Sequence, residues 1–142
     1  MREKIVLTNS VGIDKHKNMI IHSPSRWSEG LKDKSRWFCY YPWELAYASS
    51  LLKKTTDNNV KLIDPCLKKW DKEETLKNIM EEDPSWLVIE SSTRTIAENL
   101  WLAKTAKQLL GTKTVFVGQH ASIYPENLIS EGIDYICIGE YE

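Results

Sequence analysis

Hydrophobic positions along the chain fall into two alternating patterns. Short runs rich in branched residues occupy positions 4–8, 60–64, 86–91, 114–117 and 135–138, each the length of one buried strand. Between them, apolar residues recur at helical spacing. Leu45, Ala48, Leu51 and Leu52 mark one stripe, Leu76, Ile79 and Met80 a second, and Ile96, Leu100, Ala103 and Leu110 a third. The punctuation agrees with these assignments. Asp71 followed by Glu74 has the form of a capping box, Pro42 and Pro125 suit first helical turns, and Gly111 and Gly132 suit helix exits.

Strand followed by helix, repeated, implies right-handed crossovers and a parallel sheet covered on both faces. Five strands predict an α/β, doubly wound arrangement in the flavodoxin-like order 2-1-3-4-5. No helical pattern follows Ile138, so the last covering helix is expected to be missing. The chain therefore reads as one domain over 1–142, a fragment of a longer enzyme, with self-association through the uncovered sheet face as a consequence.

Residues 9–41 stand outside the alternation. They show no sustained period and carry Gly12, Pro24, Gly30, Trp27, Trp37, Phe38, Tyr40 and Tyr41. The segment is expected to be a long aromatic-rich loop leaving the first strand at its carboxyl end. Either it folds over a ligand as a lid with aromatic walls, or its aromatics pack as a satellite core.

Composition narrows the chemistry. At 142 residues and 42% hydrophobic, the chain suits a single core that buries roughly two-thirds of its unfolded surface. A net charge of -1, from 19 basic and 20 acidic residues, leaves no electrostatic footprint for nucleic acid or an acidic membrane. The run Ile5-Val6-Leu7 is too short for a signal peptide and no run approaches a membrane span, so the cytoplasm is the expected compartment. Cys39, Cys66 and Cys137 fit neither a disulfide framework nor a zinc knuckle. Cys137, within a strand pattern, reads as a small buried hydrophobe.

In an open α/β sheet, ligands bind beyond the carboxyl ends of the strands, beside the point where strand order reverses. That edge collects Asn9, Ser10, Asp64, Ser91, Ser92, Thr93, Gly118, Gln119, His120, Gly139 and Glu140. Hydroxyls and loop amides dominate, with no clustered carboxylates and no metal set. Such an edge suits a large neutral or phosphate-bearing ligand. A phosphoacceptor receiver would need an acidic cluster after the first strand, where Thr8-Asn9 stands. A flavodoxin-type phosphate loop and a dinucleotide fingerprint are likewise missing.

From residue 41 onward the chain resembles the cobalamin-binding domain that precedes the catalytic barrel in cobalamin-dependent radical S-adenosylmethionine enzymes, of the methyltransferase and anaerobic cyclase type. The resemblance rests on Tyr41-Pro42-Trp43-Glu44-Leu45-Ala46-Tyr47-Ala48, on Val60 to Asp64, and on the turn Ser91-Ser92-Thr93. Val117-Gly118-Gln119-His120-Ala121-Ser122 with Pro125, and Ile133-Asp134-Tyr135 leading to Gly139-Glu140-Tyr141-Glu142, complete it. Ser91 and Gly118 stand 27 residues apart, the family's spacing between its Ser-x-Leu and Gly-Gly loops. Gln119 departs from the second glycine.

The resemblance implies that these loops line a channel for the dimethylbenzimidazole tail, with the corrin over the strand ends. It also implies methyl transfer or related radical chemistry. S-adenosylmethionine and a four-iron four-sulfur cluster would belong to a downstream radical domain of the same polypeptide, since the three cysteines lack the spacing that cluster needs. No residue of this chain is expected to be catalytic alone. Asp14-Lys15-His16 mimics the family's Asp-x-His motif, but His16 lies 75 residues before Ser91, too far for that role. No histidine is therefore expected beneath cobalt. The alternative reading is a regulatory or interaction module that has lost cobalamin binding.

Overall fold

The computed structural model describes residues 2–23, 27–31 and 39–141, with the backbone alone for 21–23 and 27–31. Strand β1 (Lys4–Thr8) lies at the centre. It pairs in parallel with β4 (Asn59–Ile63) on one side and with β5 (Trp86–Glu90) on the other. Beyond β5 come β6 (Lys113–Val117) and β7 (Tyr135–Ile136), also parallel. The order β4-β1-β5-β6-β7 is the expected 2-1-3-4-5 when the five strands of this sheet are counted along the chain.

Helices α3 (Lys72–Glu82), α4 (Ile96–Leu110) and α6 (Pro125–Ser130) cover one face. There Ile79, Leu102, Ala106 and Leu128 close over Val6, Leu87, Ile89 and Phe116, all essentially inaccessible. Each large side chain so buried stabilises the fold by roughly 1.5–3 kcal/mol. On the other face, α1 (Trp43–Thr55) lays Leu45 and Ala48 over Ile5, Leu7, Val60, Val115 and Val117. This face is covered less completely. Trp86 and Val88 on β5 are half-buried, whereas their neighbours Leu87 and Ile89 are sealed.

Local signals place the helix ends. The capping box forms in full: the Glu74 amide donates to Asp71 Oδ1 at 3.0 Å and the Asp71 amide to Glu74 Oε2 at 3.1 Å. Pro125 is the first residue of α6, whereas Pro42 sits one place before α1. Two short helices escaped the periodic reading, α2 (Pro65–Lys68) and α5 (Gln119–Ile123), because neither is long enough to show a stripe. Three strands also end sooner than expected. β4 stops at Ile63 because Asp64 turns to cap α2, β5 stops at Glu90, and pairing in β7 covers only Tyr135–Ile136. Cys137 is consequently half-buried rather than a core residue, although its amide still donates to the Phe116 carbonyl at 2.9 Å.

The segment 9–41 is not one long loop. It contains an antiparallel ribbon of β2 (Met19–Ser23) and β3 (Trp27–Leu31). The sequence hid it because β3, Trp-Ser-Glu-Gly-Leu, lacks a strand's alternation. The approach to the ribbon is clamped. The amides of Gly12 and Ile13 both donate to the Trp70 carbonyl, at 2.7 and 3.1 Å, and the Ile20 amide donates to the Gly12 carbonyl at 2.8 Å. Met19 and Ile20 are buried. The expectation of an aromatic lid or satellite core rested partly on Trp37, Phe38 and the Trp27 side chain, which lie outside the described residues. Among the described residues, no helix is long and apolar enough to cross a membrane.

The clamp makes a stability prediction. A β-carbon at Gly12 would stand 2.2 Å from the Pro65 carbonyl oxygen, so backbone must move to admit it. Gly12→Ala should therefore cost about 2 kcal/mol or more, in the range of overpacking, against about 1 kcal/mol for Asp71→Ala. Urea unfolding midpoints read both, and an unperturbed Gly12→Ala protein would refute the close contact.

Candidate functional site

The carboxyl edge of the sheet divides into a roofed half and an open half. Over β1 and β4 the polar residues turn inward. Asn9 Nδ2 donates to Asp64 Oδ1 at 2.8 Å, and the same oxygen accepts the Leu67 amide at 3.1 Å as the cap of α2. Cys39 Sγ lies 3.8 Å from Asp64 Oδ2, which draws the returning chain to this point. Burial and then the negative charge of Asp64 push the Cys39 thiol up to about 11, so at neutral pH it is the protonated partner.

A buried hydroxyl network pins β1 to β5 and α4. Ser10 Oγ lies 2.6 Å from Thr95 Oγ1, and Ser92 Oγ lies 3.1 Å from the same atom. Asn99 Nδ2 donates to Ser10 Oγ at 3.2 Å and to Thr95 Oγ1 at 3.1 Å. Thr95 and Asn99 were not among the residues expected at the site, and both are fully buried. One sequence signal could have found Asn99: it is an amide at a core-facing position of the α4 stripe. Ser10 and Ser92 thus hold the loops in place from within, because a buried hydroxyl must find its partner inside the protein.

Ser91 bridges the neighbouring strand ends. Its amide and its hydroxyl both donate to the Val117 carbonyl, at 2.9 and 3.0 Å. Gly118 follows with φ +91°, and a β-carbon there would meet the Ser91 carbonyl at 3.0 Å and Glu90 Cγ at 3.1 Å. The close approach that demands glycine is therefore between two turns of this chain.

The open half, over β5, β6 and β7, presents Thr93, Gln119, Gly139 and Glu140 at the surface and His120 half-buried. Thr93 Oγ1 and His120 Nδ1 share a hydrogen bond of 3.1 Å that joins the β5 and β6 loops, and the His120 ring packs 4.9 Å from that of Tyr124. Burial holds the His120 pKa below its ordinary value, which favours the neutral imidazole. Ser122 Oγ donates to the Gly118 carbonyl and accepts the Gly139 amide, each at 3.0 Å, and so ties the last two turns together. His16 stays apart. Asp14 Oδ1 accepts the amides of His16 and Asn18, at 2.8 and 2.9 Å, an arrangement that shapes the loop.

Below the open edge, on the α1 face, lies a groove of about 180 Å³. The strand register builds its floor: Leu7 stands opposite Val88, Val88 opposite Val115, and Val117 one step closer to the Gly118 turn. Ala48, Leu51 and Leu52 of α1 form the wall, and Cys137 and Tyr141 complete the lining. The groove is lined mainly by aliphatic side chains, and its floor extends as far as Val117, the last residue of β6. A larger cleft of about 490 Å³ lies between residues 13–17 and the first turns of α3 and α4. Its lining mixes charged side chains, with Lys17 paired to Asp71 at 3.2 Å, and the apolar surfaces of Ile13, Ala97 and Trp101. Among the described residues no group of three or more His, Cys, Asp or Glu side chains could hold a metal ion.

A family model described as the B12 binding domain matches residues 35–142. Neither the curated proteins nor the solved structures yielded a match.

The Cys39 environment is directly testable. Its alkylation rate, followed peptide by peptide by mass spectrometry, should rise through a midpoint of about 11. Asp64→Asn should move that midpoint downward by removing the negative charge that opposes the thiolate. A midpoint unmoved by the substitution would disprove the contact.

Proposed function

The chain belongs to the B12-binding domain family, and from that premise we propose that it is the cobalamin-carrying module of a radical S-adenosylmethionine enzyme. The observation that carries this reading is the apolar groove on the α1 face, whose floor extends as far as Val117, the residue before Gly118. Cobalamin is a broad corrin with a tethered aromatic base, and this chain offers a polar open edge beside an apolar slot. The residues fit the group.

In this proposal the rim formed by Thr93, Gln119, His120, Gly139 and Glu140 receives the corrin side. Ser91 and Gly118, packed against each other, set the positions of the loops beside which the nucleotide tail passes, and the α1 groove takes the benzimidazole. Asn9, Ser10, Asp64 and Ser92 act from beneath by fixing the loops. Cobalamin, when bound, supplies a cobalt centre able to carry a methyl group toward a substrate radical. The chain's own work is to bind, to orient and to exclude water from the tail.

At that rim the Thr93–His120 bond crosses between loops. Its geometry leaves His120 oriented by Thr93 and Tyr124 at the rim. We place no histidine of this chain beneath cobalt, because Asn9 and Ser10, which leave the central strand, are turned inward and buried. S-adenosylmethionine and the iron-sulfur cluster would be held by a downstream domain, which the present chain would serve as a cofactor carrier.

Two measurements test the proposal. Protein mixed with hydroxocobalamin and desalted should retain the corrin absorption band, and Ala48→Trp, which fills the groove from the α1 side, should lose it while remaining folded by circular dichroism. Retention by a folded Ala48→Trp protein would remove the groove from the site; no retention by the unmodified protein would favour a module that has lost its cofactor. In the cob(II)alamin form, electron paramagnetic resonance should show no nitrogen triplet splitting. Splitting abolished by His16→Ala, His22→Ala or His120→Ala would show that the protein supplies the lower ligand.

A further inference from the structure

We propose that the α1-face groove selects among cobamides by their lower base, accepting a benzimidazole or phenolic tail and disfavouring a purine. This rests on the reading of the groove as the seat of the nucleotide tail. The argument comes from the chemistry of the lining. Its floor is Leu7, Val88, Val115 and Val117, and its wall is Ala48 and Leu52, so the surfaces that would sandwich a ring carry hydrocarbon alone. The only polar side-chain atoms in the lining are those of Cys137 and Tyr141.

A dimethylbenzimidazole brings methyl groups, a fused carbocycle and a single unsubstituted ring nitrogen into such a slot. Adenine is similar in breadth but carries an exocyclic amine and several ring nitrogens around its edge. Each is hydrated in free solution. Inside the groove those facing the valine and leucine side chains would lose water without gaining a partner, and the cost of an unmet buried polar group exceeds the gain from a met one. A phenolic base carries no ring nitrogen and avoids the penalty altogether.

The register shows why the lining is so uniformly apolar. Leu7, Val88 and Val115 form one row across three parallel strands. Parallel strands buried on both faces favour branched aliphatic residues at every position. The row is therefore hydrocarbon for reasons of sheet stability, and base selectivity follows as a by-product of the fold.

The test is a binding panel on the unmodified protein, read by retained corrin absorbance and by quenching of tryptophan fluorescence. The ligands are cobalamin, an adenine-bearing cobamide, a cresol-bearing cobamide and cobinamide, which lacks the tail. Cobalamin and the cresol form should bind within about threefold of each other, and the adenine form about tenfold or more weaker, the size expected for one unmet polar group. Cobinamide should also bind more weakly than cobalamin. Equal binding of the adenine form and cobalamin overturns the selectivity while leaving cobalamin carriage intact. Equal binding of cobinamide and cobalamin places the tail outside the groove and overturns it too. Binding of none of the four defeats the underlying reading itself. Val88→Thr, nearly isosteric, adds a hydroxyl to the floor and should narrow the adenine discrimination several-fold; an unchanged ratio in the folded variant overturns the groove as its origin.

Discussion

The parallel pairing of β1 between β4 and β5 is the constraint from which the rest of the molecule follows. With register set at Leu7 against Leu62 and Val88, alternation sends Leu7 and its row to the α1 face and Val6, Leu87 and Ile89 to the face of α3 and α4. A slip of one residue would exchange the two sets and destroy both cores. The same pairing brings the ends of β1 and β5 side by side where strand order reverses. Their loops must then part to opposite sides, and a crevice opens between them.

That crevice is fixed from beneath by hydrogen bonds that are buried or partly buried. Ser10, Ser92, Thr95 and Asn99 interlock across the β1 and β5 exits, and Asn9 engages Asp64 at the start of α2. Each neutral bond contributes on the order of 1 kcal/mol, but the penalty for breaking one partner away is larger because the other is buried. The loops are held where the network puts them. Polar residues at a ligand edge can thus serve the site without touching the ligand, by making its outline rigid.

The two sheet faces are unequally covered. Where α3, α4 and α6 seal the sheet, side chains such as Phe116 and Leu102 are inaccessible. Under α1 the half-buried Val88 lines a groove instead. Alongside it, α1 exposes Trp43, Tyr47 and Leu51 at four-residue spacing, each more than half accessible.

Local chemistry was legible in the sequence. Strand runs, helical stripes and the Asp71–Glu74 box depend on neighbours a few residues away, so their periods and spacings foretold the sheet and its order. The polar residues at the strand ends were identifiable for the same reason. Other properties joined distant parts of the chain and only the tertiary structure decided them. Gly12 is required by Pro65, and Gly118 by Ser91 and Glu90. Asn9, Ser10, Ser91 and Ser92 face inward, His120 is half-buried, and Thr93 and Gly139 are exposed, because burial depends on what packs above each loop. The groove itself arises from the register of three strands beneath one helix, a meeting of residues as far apart as Leu7, Ala48, Val88 and Val117 that no local pattern encodes.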